Sequence, residues 1–407
     1  MRLYWIWFAH HPELNDFERA KLMGYFRDPE EIFFAQGRQD YPEELESLVQ
    51  KALRSRDLNQ AESILERCAR ENLEVICFDQ HTYPVRLRSI PDPPMVLYCK
   101  GTLPLVDELP VLGIVGTRHA SAYGLTMAAK LGYQTARCGA AVVSGLALGV
   151  DTMAMQGALR GGGTVIGVLG CGADQIYPKS NRELFENVER YGCVLSEFMP
   201  GTPPNKWNFP KRNRIISGLS CGVLVVEAPE KSGSLITARL AAEQGRDVFV
   251  VPGNVDAPGF AGSYRLLREG AAPVCCGWDA VGEYAARFPD RIRKDLTEML
   301  GGLGSTGEEA RPAKVAQRTV SPAIPGESDK KDIDKEPNGL YSDLNKQLPE
   351  LTGDEQKIAD ALKDGPRLVD DVIAETGLTT GRMLAGMTML ELKGILKRLP
   401  GKRVILK

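Results

Sequence analysis

The 407-residue sequence predicts an α/β protein, a doubly wound parallel sheet with a helical N-terminal domain before it and a winged helix after it. Three observations support that prediction. Between Pro110 and about Trp278, short apolar runs alternate with segments of helical spacing, a pattern that gives right-handed crossovers and parallel strands. These runs are continuously apolar rather than alternating, as strands buried on both faces are. The regions on either side lack this strand–helix alternation.

Taken in order, residues 1 to about 72 place apolar side chains at helical spacing, as in the stretch from Phe17 to Met23 and again from Glu43 to Leu53. A strand is expected at Glu74–Phe78. Paired prolines then exclude regular helix around Ile90–Pro94. The sheet is expected from Val111–Val115, Ala140–Ser144, Thr164–Leu169, Cys193–Ser196, Val223–Glu227 and Asp247–Val251. The helices between them are expected at Leu125–Cys138, Thr152–Arg160, Asn181–Tyr191, Asn213–Leu219 and Leu235–Gln244. Residues 301–350 are rich in Gly, Ser, Pro and charge with Tyr341 as sole aromatic, the composition of a flexible linker. The remainder, 352–407, reads as three short helices (about Gly353–Lys363, Leu368–Thr376 and Gly381–Leu392) and a wing strand at Val404–Leu406. The expected domains are therefore 1–72, 73–290 and 352–407.

Composition narrows the function. A net charge of −3 excludes a uniformly basic nucleic-acid coat, so any polyanion site must be a local patch. Nine cysteines without a CxxC pair, and four histidines without an HExxH cluster, give neither a disulfide framework nor metal-ligand spacing. No metal or cofactor is expected. The apolar patch Leu3–Ala9 is too short to span a membrane and lacks a cleavage-site pattern, so the cytoplasm is the expected compartment.

Ligands of open parallel sheets collect at the strands' carboxyl ends, near the point where strand order reverses. Gly116-Thr117-Arg118, Ser144-Gly145 and Ser232-Gly233-Ser234 fall at such ends. Glycines admit close backbone approach to an anion, helix-start amides donate to it, and Arg118 supplies a fork of donors. Gly170-Cys-Gly172 fails as a dinucleotide fingerprint, because Gln175 replaces the third glycine and the run follows the wrong strand. GxxxxGK[ST] is absent. Asp151 and Glu227 could form a carboxylate pair on the same rim, or each could cap a helix or bind a backbone amide.

The most telling segment runs from Lys206 to Arg214. It gathers Lys206, Lys211, Arg212 and Arg214 with Trp207 and Phe209, in a stretch with no Asp or Glu between Glu197 and Glu227. Cations with planar rings suit a ligand of phosphates and unpaired bases, which single-stranded nucleic acid is. An ordinary solvated loop with both rings plugged into the core is the alternative. The third C-terminal helix offers mainly Arg382 to a base edge, while Lys393, Lys397, Arg398, Lys402 and Arg403 cluster toward the wing. That distribution favours protein or DNA-backbone contact over sequence reading.

Assembled, these segments resemble the DprA/Smf family. The resemblance rests on Ile114-Val-Gly-Thr-Arg118, Ser144-Gly-Leu-Ala-Leu-Gly-Val-Asp151, Gly163-Thr164 with Gly167–Gly172, and Tyr177-Pro178 with Asn181. It continues through Phe209–Ser220, Ser232–Arg239, Gly245–Phe249 and Val251-Pro-Gly253. The resemblance implies an extended Rossmann-like domain preceded by a SAM-like helical domain. It also implies a non-enzymatic single-stranded DNA binder that protects incoming DNA during natural transformation, forms a homodimer and loads RecA recombinase. Carried over by motif, Arg118, Lys206 and the Lys211-Arg212-Asn213-Arg214 group would grip phosphates. Phe209 would stack or wedge against a base, and Ser232–Ser234 would line the rim. Trp207 has no counterpart in the pattern and reads as packing. About four cationic contacts predict a salt slope near −3. The chain departs from the pattern at Met155, where relatives carry His, and at His11–Asn15, where they carry a Gly-x-Gly hairpin. A Rossmann-type phosphoribohydrolase is the alternative class, but its Pro-Gly-Gly-x-Gly-Thr signature is replaced by Ala228-Pro-Glu-Lys-Ser-Gly-Ser-Leu235.

Overall fold

A computed structural model describes residues 1–37, 41–293 and, between 353 and 406, all but 363–364, 366, 379–381, 384–385, 388–389, 391–394 and 400–402. The expected linker, 301–350, lies outside the described residues. The rest falls into two compact units, one on each side of it.

The N-terminal helices are α1 (Arg2–Ala9), α2 (Asp16–Met23), α3 (Pro29–Phe33), α4 (Glu43–Leu53) and α5 (Asn59–Arg70). Helix α2 starts at a capping box, with Asn15 Oδ1 accepting from Glu18 N at 2.9 Å and Glu18 Oε2 accepting from Asn15 N at 2.9 Å. Trp5, Phe8, Leu22 and Ile32 are buried in a core that also takes Val75, Val96 and Tyr98 from the sheet. The helices are thus packed onto the sheet edge and belong to the same compact unit as the sheet.

The sheet has nine strands: β1 (Glu74–Cys77), β2 (Val96–Gly101), β3 (Val111–Val115), β4 (Ala141–Ser144), β5 (Val165–Val168), β6 (Gly192–Ser196), β7 (Gly222–Val225), β8 (Asp247–Val250) and β9 (Ala272–Pro273). Their order is β1-β2-β6-β5-β4-β3-β7-β8-β9. Neighbours from β6 through β9 pair in parallel, whereas β2 joins both β1 and β6 antiparallel. All six strands expected between residues 111 and 251 form. Strand β2 was not expected. Its apolar run begins directly after the prolines at 93 and 94, which obscured it.

Alternate residues of each central strand feed two cores. A short helix, α6 (Val85–Arg88), links β1 to β2; helices α7 (Ala122–Arg137), α8 (Val150–Arg160) and α9 (Arg182–Tyr191) cover one face, and α10 (Asn208–Leu219), α11 (Gly233–Glu243) and α12 (Ala261–Arg268) the other. Phe288 and Ile292 close the first core, and Arg293 N donates to Cys138 O at 3.1 Å. The chain enters the parallel part at β3, winds outward through β4, β5 and β6, then returns to lay β7 on the other side of β3. The topological switch therefore lies between β3 and β7.

In the C-terminal unit, helices span Gly353–Ala361 and Val369–Thr376, and Arg367–Leu368, between them, joins Leu396–Leu399 and Arg403–Leu406 in a three-stranded antiparallel sheet. The expected third helix falls partly outside the described residues; residues 382–383, 386–387 and 390 are helical. Met383, Met387 and Leu390 are buried with Ile358 and Val372. Arg382 is held by Asp354 at 2.7 and 2.8 Å.

Candidate nucleic-acid interface

The carboxyl ends of β3 and β7 frame a cleft of about 540 Å³. Its first wall is the turn after β3. Thr117 N donates to Glu227 O at 2.8 Å and Val150 N to Thr117 O at 3.3 Å, which fixes this turn between β7 and α8. Gly149, at φ +79°, lies so close beneath the Thr117 and Arg118 carbonyls that a Cβ would sit 2.5–2.7 Å from them. Only glycine suits that position. Arg118 itself is exposed, its guanidinium 5.1 Å from the centroid of the Phe209 ring.

The opposite wall is the start of α11. Ser232 caps the helix, its Oγ accepting from Ser234 N at 3.3 Å and lying 2.7 Å from Ser234 Oγ. Gly233 is exposed, so the positive end of this helix faces the cleft mouth, with Lys231 beside it. Asn213 Nδ2 donates to Gly233 O at 3.4 Å and ties α10 to this turn.

The basic segment is a helix start rather than a loop. Helix α10 begins at Asn208, five residues before the expected Asn213, and Pro210 is accommodated in its first turn, where amides have no intrahelical acceptor. Helical geometry then sends the side chains of this segment in different directions. Lys206 and Phe209 reach the cleft. Phe209 packs against the Gly170 backbone and lies 5.5 Å from the Tyr177 ring.

The other cations do not share that surface. Arg214 is buried, donating to both Glu197 carboxylate oxygens at 2.6 and 2.7 Å and pairing with Asp92 at 3.0 Å. Burial opposes its charge, but Glu197, Asp16 and Asp92 more than compensate and raise its pKa further. Lys211 turns toward the N-terminal helices, 2.8 Å from Asp16 and 3.6 Å from Glu197. Arg212 is buried in the cleft floor, where Nη1 donates to the Gly145 and Val168 carbonyls and Nε to Asn213 Oδ1. Burial lowers its pKa to about 10, against the pull of Asp151. Arg214 therefore directs its donors into the protein and Lys211 faces carboxylates outside the cleft, whereas Arg212 lines the cleft floor with Nη1 and Nε held from within.

Ser144 and Gly145 also lie below the surface. Ser144 Oγ donates to Ile114 O at 2.5 Å, and Gly145 N donates to Asp151 Oδ2 at 3.0 Å. Gly145 has no room for a Cβ because Arg212 and Asp151 close on it. Burial raises the Asp151 pKa, with Arg212 opposing. Glu227 accepts from Ser121 N at 3.0 and 3.1 Å and from Ser121 Oγ at 2.7 Å, at the cap of α7. Both acids are therefore engaged with backbone amides rather than paired with each other. Among the described residues no His, Cys, Asp and Glu group is placed to hold a metal ion.

Three features of this surface are not among the site residues expected from the sequence. Lys231 is an exposed cleft cation whose signal was its position directly before Ser232. Tyr177 lines the cleft beside Phe209. Trp207, expected to be packing, is 72% exposed. No helix among the described residues is long and apolar enough to cross a membrane.

Residues 74–285 match the family model of DNA recombination-mediator protein A, and residues 343–402 match that of the DprA winged helix domain. Over 359 residues the chain is 34% identical to Protein Smf of Synechocystis sp., covering 88% of this chain and 86% of that one. It is 42% identical over 224 residues to DNA processing protein DprA of Bacillus subtilis, covering 55% of this chain and 75% of that one. Its fold is similar to the X-ray structure of DNA processing protein A from Streptococcus pneumoniae, with a TM-score of 0.60 and 33% identity over 70% of this chain and 98% of that one. With the sheet domain, the winged helix and nearly the full length of a relative matched together, the chain belongs to the DNA recombination-mediator protein A (DprA/Smf) family.

Proposed function

We propose that the chain is a DNA-processing protein that binds single-stranded DNA in the switch-point cleft, without catalysis. The observation that supports this most is the stack of Arg118 on Phe209 at 5.1 Å, flanked by Lys206 on one side and the Ser232 helix start on the other. A cation stacked on a ring offers a phosphate contact and a base contact within one nucleotide's reach. The relatives named as DNA processing proteins support the same reading. In the fuller form that the family resemblance implies, the protein acts in natural transformation as a homodimer, protecting incoming strands and loading RecA recombinase.

Gel shifts with single- and double-stranded oligonucleotides over a range of salt test the binding. Single strands are expected to bind with little regard to sequence and with salt-sensitive affinity, and duplex to compete poorly. No salt-sensitive binding to any single strand would sink the reading. Release of free base from a nucleoside monophosphate would replace it with the phosphoribohydrolase class. RecA-filament assembly on protein-coated single strands, with and without this chain, tests loading; sedimentation velocity tests the dimer.

A further inference from the structure

We propose that Trp207 is a second base-stacking platform, set just outside the cleft and serving a nucleotide next to the one held at Phe209. The proposal rests on the single-stranded DNA reading above and extends it to a residue outside the family's motif.

Three observations converge on this ring. Trp207 is 72% exposed, the most exposed tryptophan of the four; Trp5 and Trp7 are 1% and 6% exposed and Trp278 is half-buried. At that exposure the ring buries little apolar surface, so it contributes little to folding through packing. Its backbone is nevertheless held: Trp207 N donates to Asn205 Oδ1 at 3.1 Å and Asn208 N to Asn205 O at 3.0 Å, a short turn that places the residue at the start of α10. Finally, Lys206 Nζ sits 4.9 Å from the centre of the indole, so a cation already accompanies the ring, as a stacked nucleotide's phosphate would require.

Geometry assigns this ring to a separate nucleotide. Residues two apart at a helix start point to opposite sides. Phe209 lines the cleft and packs on Gly170 and Tyr177, whereas Trp207 lies outside the cleft wall. The indole therefore serves a position outside the cleft rather than the one at Phe209. Lys206 lines the cleft and also covers the indole, and so bridges the two positions. A strand leaving the cleft past Lys206 meets the indole next.

The test uses the full chain and oligo(dT), with indole emission and affinity read together. Wild-type emission is expected to be quenched on binding. Trp207→Ala is expected to weaken binding roughly tenfold, within the range measured for single base–aromatic stacks, and to abolish most of the quenching. Trp207→Tyr should restore affinity to within about twofold, because any flat ring can stack. The salt slope should be the same in all three proteins, since no phosphate contact is lost. An oligonucleotide with one abasic site at the platform position should weaken wild type but not Trp207→Ala. Wild-type binding with unchanged affinity in Trp207→Ala and no quenching would overturn the platform while leaving the cleft intact. Failure of wild type to bind any oligonucleotide would instead overturn the underlying reading. Thermal melting of Trp207→Ala at the wild-type temperature separates either result from misfolding.

Discussion

At the residue scale, four cations within nine positions have four different occupations, and burial decides among them. Arg214 is 2% exposed and satisfies Glu197, Asp92 and Asp16 at once. Arg118 is exposed and touches an aromatic ring instead of a carboxylate. The two should therefore separate in mutational effect. Arg214→Ala strands a buried carboxylate, and a loss of about 3–5 kcal/mol of folding stability is expected by denaturant unfolding. Arg118→Ala should leave stability within about 0.5 kcal/mol. It should weaken single-strand binding by roughly 10- to 100-fold, equivalent to a charge-assisted hydrogen bond of about 1.5–3 kcal/mol. Fluorescence anisotropy with a labelled oligonucleotide checks the second half, and an unfolding curve the first. A string of basic residues in a sequence does not reveal this division, because the partners that bury Arg214 come from residues 16, 92 and 197.

At the element scale, the parallel strands and their helices were legible because continuous apolar runs of four or five residues leave few other folds open. Helix α10 was legible only from Asn213 onward, since its first turn is built of Asn208, Phe209, Pro210, Lys211 and Arg212, with no apolar period to mark it. The cleft's two walls could be named from the sequence, but which side chains of that first turn face it required the helix phase. The docking of helices α1 to α5 depends on long-range packing through Tyr98, which no local pattern encodes. That docking brings His10 Nε2 to 2.8 Å from Tyr98 Oη. Burial of the imidazole, with Arg19 and Lys211 nearby, lowers its pKa from 6.5 to about 3. The sign follows directly: between pH 6.5 and 3 the unfolded chain binds a proton that the folded one refuses, so stability falls as pH falls through that window. Above pH 6.5 the imidazole is neutral in both states. The melting temperature is expected to drop steadily on acidification from pH 6.5, and His10→Gln, which keeps a hydrogen-bonding partner for Tyr98 without titrating, should flatten that drop.

At the scale of the whole molecule, an acidic chain must bind a polyanion through whatever cations are left free at one site. Lining the cleft with exposed side chains are Arg118, Lys206 and Lys231. Three phosphate contacts give a slope of log K against log salt near −2, shallower than the value near −3 that about four contacts imply. A measured slope of −3 or steeper would mean that Lys211 leaves Asp16 on binding, or that cations beyond the cleft take part. The second possibility is separable, because the cleft and its supports are complete before residue 294. The turn after β3, the start of α10 and the start of α11 all belong to the N-terminal unit, and its first core is closed by Phe288 and Ile292 with Arg293 N bonded to Cys138 O. A chain ending at Arg293 is therefore expected to melt cooperatively and to bind oligo(dT) within about twofold of the full chain, with the same slope. A chain ending at Ala285 should not, since deleting Phe288 and Ile292 opens a core cavity that costs several kcal/mol. If the longer truncation folds but its salt slope becomes shallower, the C-terminal unit contributes phosphate contacts of its own, and the number lost is read from the change in slope at about 0.7 per contact.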